Sequence, residues 1–165
     1  MIVRPSGKFL LSHPSHFLAL GFGTGLAPVA PGTFGTLMGV ALYLLLPAMT
    51  WTLYLLFLLV VTLVGIWLCD RTARDIGVHD HGGIVWDEFV GYWITMFMAP
   101  EGWLWIVAGF ALFRLFDILK PWPISWLDRH VKGGFGVMVD DVLAGVMALI
   151  CLQSAAYIYG QSVFG

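Results

Sequence analysis

Apolar residues in this chain run in long blocks, and polar residues collect in the gaps between them. The clearest block is Trp51–Cys69, nineteen residues without a formal charge. That is close to the roughly 20 residues a helix needs to cross a bilayer. Thr33–Pro47 is a shorter apolar block that its flanks extend to a marginal span. Val85–Ala99 forms a third span with Asp87 and Glu88 in its first turn, and Trp103–Leu119 a fourth with Arg114 and Asp117 in its last. Asp140–Tyr159 is the fifth. The turns Pro47–Thr50 and Pro100–Gly102 are tight, which makes the helices they join antiparallel neighbours.

The remaining segments predict shorter pieces. Residues 1–13 form a short basic start of little expected order. His16–Leu26 is apolar but too short and too glycine-rich to span, so a short interfacial or re-entrant helix is expected. The loop Ala27–Gly35 then punctuates the chain, and a helix can start near Thr33. Of the two polar loops, Asp70–Ile84 can continue the helix before it through R-T-A-R-D, and Lys120–Val139 holds a short interfacial helix around Ile124–Val131. The pattern predicts an all-α, polytopic helical bundle of about five transmembrane helices plus short interfacial or re-entrant ones. Residues 1–165 read as a single membrane-embedded domain without internal repeats.

Composition agrees. The chain is 59% hydrophobic and 11% charged, with a mean hydropathy of +0.88. A soluble domain carries about 25% charged residues, so too little polar surface is available to cover a water-soluble globule. Eight Trp and five Tyr suit interfacial aromatic belts. A net charge of −2 gives no footprint for nucleic acid. Cys69 and Cys151 sit in apolar runs, with neither zinc nor redox spacing. Arg4 and Lys8 are followed by no cleavable pattern, so no signal peptide is expected.

Charge also orients the bundle. Arg4 and Lys8 precede the first span, Arg71 and Arg74 follow the second, and Arg114, Lys120, Arg129 and Lys132 lie between the end of the fourth and the start of the fifth. All eight basic residues thus fall on one side of a five-span arrangement. The positive-inside bias makes that side, and the N-terminus, cytoplasmic. Of the ten acids, Glu101 alone falls on the other side.

The chemistry therefore belongs at the cytoplasmic face. Asp87-Glu88 is an adjacent carboxylate pair at the head of an apolar helix, where unpaired burial is costly. One acid would serve the helix dipole; two, followed one turn on by Gly91, suit a metal site against a closely packed neighbour. Asp140-Asp141 repeats the pattern after the flexible run Gly133–Gly136, with Gly145 one turn on, and a helix cap is the simpler alternative. Four carboxylates around one pocket repel unless a cation sits among them, and hard oxygen ligands without thiolates favour Mg²⁺ or Mn²⁺. His79-Asp80-His81 can supply a general acid or base, or further ligands, or be a solvated loop.

Arg114, Asp117 and Lys120 share a helix face at spacings of three. They are either a self-neutralising interfacial anchor or a grip in which Arg114 and Lys120 hold an anion while Asp117 orients one of them or binds metal. Arg129 and Lys132 suit contacts with anionic lipid. The helix start at Thr33–Thr36 offers N–H groups and hydroxyls as a phosphate cradle. Together these features suggest phosphoryl chemistry on a lipid head group. Two common phosphatase motifs are absent, a C-x₅-R loop and a D-x-D-x-[TV] nucleophile.

Four ordered blocks then resemble one family. G-F-G-T-G-L-A-P-V-A-P-G-T-F-G-T (21–36), V-H-D-H-G-G-I-V-W-D-E-F-V-G (78–91), F-R-L-F-D-I-L-K-P-W-P-I (113–124) and G-G-F-G-V-M-V-D-D-V-L-A-G (133–145) are similar to the bacterial phosphatidylglycerophosphatase A family. The resemblance implies a magnesium-dependent enzyme of the bacterial inner membrane that removes the terminal phosphate of phosphatidylglycerophosphate. It places the family's acidic motifs on Asp80, Asp87, Glu88, Asp117, Asp140 and Asp141, and its lysine-proline motif on Lys120. The reading that follows has Mg²⁺ held by Asp87, Glu88, Asp140 and Asp141, with Asp117 as a further candidate. Arg114 and Lys120, with Thr33 and Thr36, take the phosphate. His79, Asp80 or His81 serves as acid or base, and attack by water and a phospho-enzyme through Asp80 both stay open. Membrane lipids are the expected partners.

Two rivals are weaker. A CDP-alcohol phosphatidyltransferase needs D-G-x₂-A-R, and Asp70-Arg-Thr-Ala-Arg74 breaks that spacing. A small transporter or channel wants charges at mid-membrane or broken helices in paired halves, and neither pattern occurs here.

Overall fold

The computed structural model describes residues 5–78 and 81–160. Every regular element among them is helical: α1 (Gly7–Ser12), α2 (Pro14–Ala19), a kinked 3-10 segment (Gly21–Leu26), α3 (Pro31–Leu44), α4 (Trp51–Ile76), α5 (Trp86–Thr95), α6 (Trp103–Leu119), α7 (Ile124–His130) and α8 (Gly133–Ile158). Two of them, α4 and α8, are long and apolar enough to cross a membrane.

α5 is the centre. It packs against α3, α4, α6 and α8, with its most extensive contact to α8. That position explains its composition: Asp87 through Trp93 are buried without a break. Its aromatic residues bring polar tips inward, and these find carbonyls on neighbouring helices, as buried indoles generally must. Trp93 Nε1 donates to Gly39 O at 2.9 Å, and Trp86 Nε1 donates to Val61 O at 3.1 Å. α4 instead turns Leu55, Leu56, Leu59, Leu63 and Trp67 outward, all exposed, as a lipid-facing surface requires.

α5 and α8 approach through glycine. A Cβ on Gly145 would lie 2.4 Å from the carbonyl oxygen of Gly91, and one on Gly91 would lie 2.8 Å from the carbonyl oxygen of Asp141. Small residues at a crossing let two backbones meet. Here the meeting places the second turn of α5 against the third and fourth turns of α8.

Several boundaries differ from those expected. Within the short basic start, the described residues 5–13 are ordered: α1 forms there, with the Ser6 side chain accepting from Phe9 N at its start. His16–Leu26 splits at Leu20 into the end of α2 and the 3-10 segment, which is itself kinked where Phe22 and Gly23 take positive φ. α3 starts at Pro31, as proline favours the first helical position. α4 does run on through 71–75, to Ile76, and closes on Gly77 in the left-handed conformation. α5 occupies Trp86–Thr95 of the expected 85–99. α6 matches the expected Trp103–Leu119.

The largest correction concerns α8. It begins at Gly133, so Gly133–Gly136 is helical, and Asp140-Asp141 lies within the helix and does not cap it. Packing overrides propensity here: a Cβ on Gly134 would lie 2.0 Å from Ile66 O, so glycine lets α8 start flush against α4. Gly134 N donates to Asp70 Oδ1 at 3.2 Å, which serves the new helix start.

α2 is fastened to the end of α4. Buried His16 places Nε2 3.0 Å from Asp75 Oδ2, and Arg71 Nε donates to the same oxygen at 2.8 Å. Val85 N donates to Ala19 O at 2.8 Å, so α2 also fixes the entry to α5.

Candidate active site

The carboxylates come from three helices. Asp87 and Glu88 stand in the first turn of α5, Asp117 in the last turn of α6, and Asp140 and Asp141 in the second and third turns of α8. All five line one cavity of about 310 Å³, together with Arg114, Lys120, Ala30, Pro31, Gly32, Gly82 and Ile84. Asp87, Glu88, Asp140 and Asp141 are buried. Burial of this much charge is expensive unless it is paired.

Two cations do the pairing. Arg114 Nη1 donates to Glu88 Oε2 at 2.6 Å and to Asp117 Oδ2 at 2.5 Å. Lys120 Nζ donates to Asp140 Oδ2 and to Asp128 Oδ1, each at 2.6 Å. Each cation therefore bridges two carboxylates from different elements. Lys120 is held in position by the backbone, because it caps α6 at φ 41, in the left-handed region. Burial lowers the Lys120 pKa, but the hydrogen bonds to Asp128 and Asp140 outweigh it and raise the group above its ordinary value. The same bond from Lys120 holds Asp128 below the usual carboxylate range. Both are therefore charged at neutral pH.

Glu88 is pinned further. The Thr36 hydroxyl donates to its Oε2 at 2.5 Å, and Gly32 faces its other oxygen. A Cβ at Gly32 would lie 2.1 Å from Glu88 Oε1 and 3.2 Å from Arg114 Nη1. The first turn of α3 is thus pressed onto the Glu88–Arg114 pair, an approach open only to glycine.

Not every expected residue arrives. His79 and Asp80 lie outside the described residues. His81 is described but does not line the cavity; its Nδ1 accepts from Gly83 N at 3.0 Å within its own loop. The loop's contribution to the wall is Gly82 and Ile84. Thr33 does not line the cavity either, and its N–H is used on Ala30 O at 2.9 Å. The α3 start therefore meets the cavity through Ala30, Pro31 and Gly32, with Thr36 behind Glu88. Asp128 was not singled out from sequence. Its signal was an acid on a short amphipathic helix following the Lys-Pro turn, read only as part of a polar loop.

The donor set fits a hard divalent cation. Asp140 Oδ1 and Asp141 Oδ2 are buried and have no hydrogen-bond partner among the described residues. Such orphaned oxygens are rare and costly, and oxygen ligands of this kind suit Mg²⁺. Among the described residues, no three His, Cys, Asp or Glu side chains form a ready metal cage. The fit rests on donor chemistry and on the two orphaned oxygens.

Comparison with known proteins agrees with the residues. The family model of phosphatidylglycerophosphatase A matches residues 17–156. The chain belongs to the phosphatidylglycerophosphatase A family. Phosphatidylglycerophosphatase A of Escherichia coli (strain K12) is 50% identical over 142 residues, covering 86% of this chain and 83% of that protein. Phosphatidylglycerophosphatase A of Haemophilus influenzae (strain Rd) is 49% identical over 156 residues, covering 93% and 96%. A relative in Bacteroides thetaiotaomicron, named as a candidate phosphatidylinositol-3-phosphatase, is 43% identical over 152 residues, covering 87% and 94%. No solved structure matches the chain. The cavity described above falls wholly inside the family match.

Proposed function

We propose that this chain is a magnesium-dependent lipid phosphatase that hydrolyses the terminal phosphate of phosphatidylglycerophosphate, giving phosphatidylglycerol and inorganic phosphate. One observation carries the reading: in a chain of this family, five carboxylates and two cations line a single cavity at the shared ends of α5, α6 and α8. A phosphomonoester needs cationic groups for its oxygens and a way to lower the charge of the site around it.

Asp140 and Asp141, with Asp87, would hold the Mg²⁺. When bound, the ion would polarise the phosphoryl group and neutralise the carboxylates. Arg114 and Lys120 bind the phosphate oxygens. Asp117 and Glu88 orient Arg114, and Thr36 and Gly32 hold Glu88 in place. His79 or Asp80, which precede Gly82 by three and two residues in the sequence, moves the proton for attack by water or for departure of the glycerol oxygen. Water attack forms one P–O bond, breaks the ester P–O bond and leaves a protonated glycerol hydroxyl.

The setting is a bacterial inner membrane, with the chain crossing five times, its N-terminus in the cytoplasm and the cavity opening there. The one-sided distribution of basic residues supports this orientation. The test is to incubate purified protein with phosphatidylglycerophosphate, with and without Mg²⁺, and to assay released phosphate. Phosphate release only when both are present is expected. Phosphatidylinositol 3-phosphate belongs in the same assay, given the Bacteroides relative's name. Release from that lipid alone would overturn the substrate assignment.

A further inference from the structure

Lys120 has two partners of different kinds. Asp140 is deeply buried on α8 and lines the site cavity, whereas Asp128 sits on α7 with its side chain 36% exposed. Asp128 lines a second cavity of about 270 Å³ with Val78, Val131, Lys132 and Gly136, and this cavity shares Val137 and Asp140 with the first. The Lys120–Asp140 pair therefore stands where the two cavities meet, and Asp128 reaches the ammonium from the wall of the second.

α7 is a seven-residue helix that packs on α8, and it brings Asp128 back to Lys120 across eight residues of sequence. The result is a tethered anion on a cation assigned to the phosphate. Resting on the reading that Lys120 binds the substrate's phosphate, we propose that Asp128 is a specificity-determining residue. Its carboxylate competes for Lys120, so that a dianionic phosphomonoester displaces it and a monoanionic phosphodiester does not.

The physical basis is a difference in charge between substrates. A phosphomonoester carries about −1.5 to −2 at neutral pH. A phosphodiester carries a single charge, as the head groups of ordinary membrane phospholipids do. An untethered monoanion offers the ammonium no more charge than Asp128 does, and it must give up its own freedom to bind. The tethered carboxylate has the advantage of effective concentration. A dianion offers nearly twice the charge and wins the exchange, while half-exposed Asp128 can turn to solvent. For an enzyme whose site opens on a surface crowded with phosphodiesters, this is discrimination by a built-in competitor.

The test uses full-length protein in detergent and two probes, inorganic phosphate and dimethyl phosphate, titrated calorimetrically. The wild type is expected to bind inorganic phosphate and to show no heat with dimethyl phosphate. Asp128→Asn is expected to bind inorganic phosphate about tenfold tighter, the size expected for one charged hydrogen bond. It should also gain measurable binding of dimethyl phosphate. Asp128→Glu should restore exclusion of the diester. If Lys120→Gln abolishes phosphate binding while Asp128→Asn leaves both affinities unchanged or weaker, the competitor role is overturned and the reading of Lys120 stands. If Lys120→Gln binds phosphate as the wild type does, the reading of Lys120 falls and the competitor role falls with it. Because Asp128 is partly exposed, thermal unfolding of its variants should match the wild type, and it serves as the check on folding.

Discussion

Glu88 shows how tightly single residues constrain this cavity. It accepts from Thr36 and from Arg114, and it leaves no room for a methyl group at Gly32. Gly32→Ala should therefore push α3 or Glu88 aside and disturb Arg114. The expected outcome is about a tenfold or greater fall in kcat/KM with a smaller loss of thermal stability, since the clash is at a helix end. Steady-state kinetics and a melting curve on the same preparation check it. Asp141 argues differently. Its Oδ2 is buried without a partner among the described residues, so it is the acid most in need of a cation. Asp141→Asn should lose roughly 10²-fold or more in activity. It should also lose the rise in melting temperature that Mg²⁺ gives a protein that binds it. An Mg²⁺-induced shift equal to the wild type's would remove Asp141 from the ligand set. Legibility divides along the same line. The acids, Arg114 and Lys120 stood out in the sequence because charge is rare in this chain. Their pairings did not, because which carboxylate meets which cation depends on where three helix ends converge. Asp128 was invisible for that reason: its partner Lys120 is reached only through the fold of α7.

At the scale of elements, the site depends on one crossing. Gly91 and Gly145 let α5 and α8 touch backbone to backbone, and Asp87 and Asp141 each stand one turn from that contact. Gly145→Ala would place a Cβ 2.4 Å from Gly91 O, so the helices must part. Overpacking of this kind costs about 1–3 kcal/mol, and it also separates the two acidic groups. Loss of both melting temperature and activity is expected. Gly7→Ala, where nothing lies within 4 Å, should leave both as in the wild type. Equal behaviour of the two variants would show that the crossing does not shape the cavity. The sequence announced α6 correctly because an apolar run, charged only at Arg114 and Asp117 near its end, is bounded by Gly102 and by Lys120-Pro121. It misplaced the start of α8 because Gly133–Gly136 carries the propensity of a loop. The reason for those glycines, the closeness of Gly134 to Ile66 and Asp70 on α4, lies sixty-odd residues away in sequence.

On the scale of the whole molecule, the helices sort their ends. The C-terminal ends of α4 and α6 and the N-terminal ends of α5 and α8 gather around the acidic cavity and Asp70. The end of α3, the start of α4 and residues 96–99 gather around a different cavity of about 710 Å³, with Glu101 on its wall. The 26 residues of α4 span roughly 39 Å between these regions, at about 1.5 Å per residue. That is more than the roughly 30 Å hydrocarbon core. Basic residues crowd the first end, with Arg71, Arg74, Arg114, Lys120, Arg129 and Lys132, and the second end has none. A bundle with this separation should sit across the bilayer with the acidic cavity inside the cell. Cysteine labelling checks it. In a background with Cys69→Ala and Cys151→Ala, a membrane-impermeant maleimide applied to intact spheroplasts should label Glu101→Cys. It should label Arg74→Cys and Arg129→Cys only after the membrane is opened. All three positions are polar and accessible on their own sides, so labelling depends on sidedness and not on burial. Labelling of Arg129→Cys from outside would invert the orientation and put the acidic cavity on the outer side of the membrane.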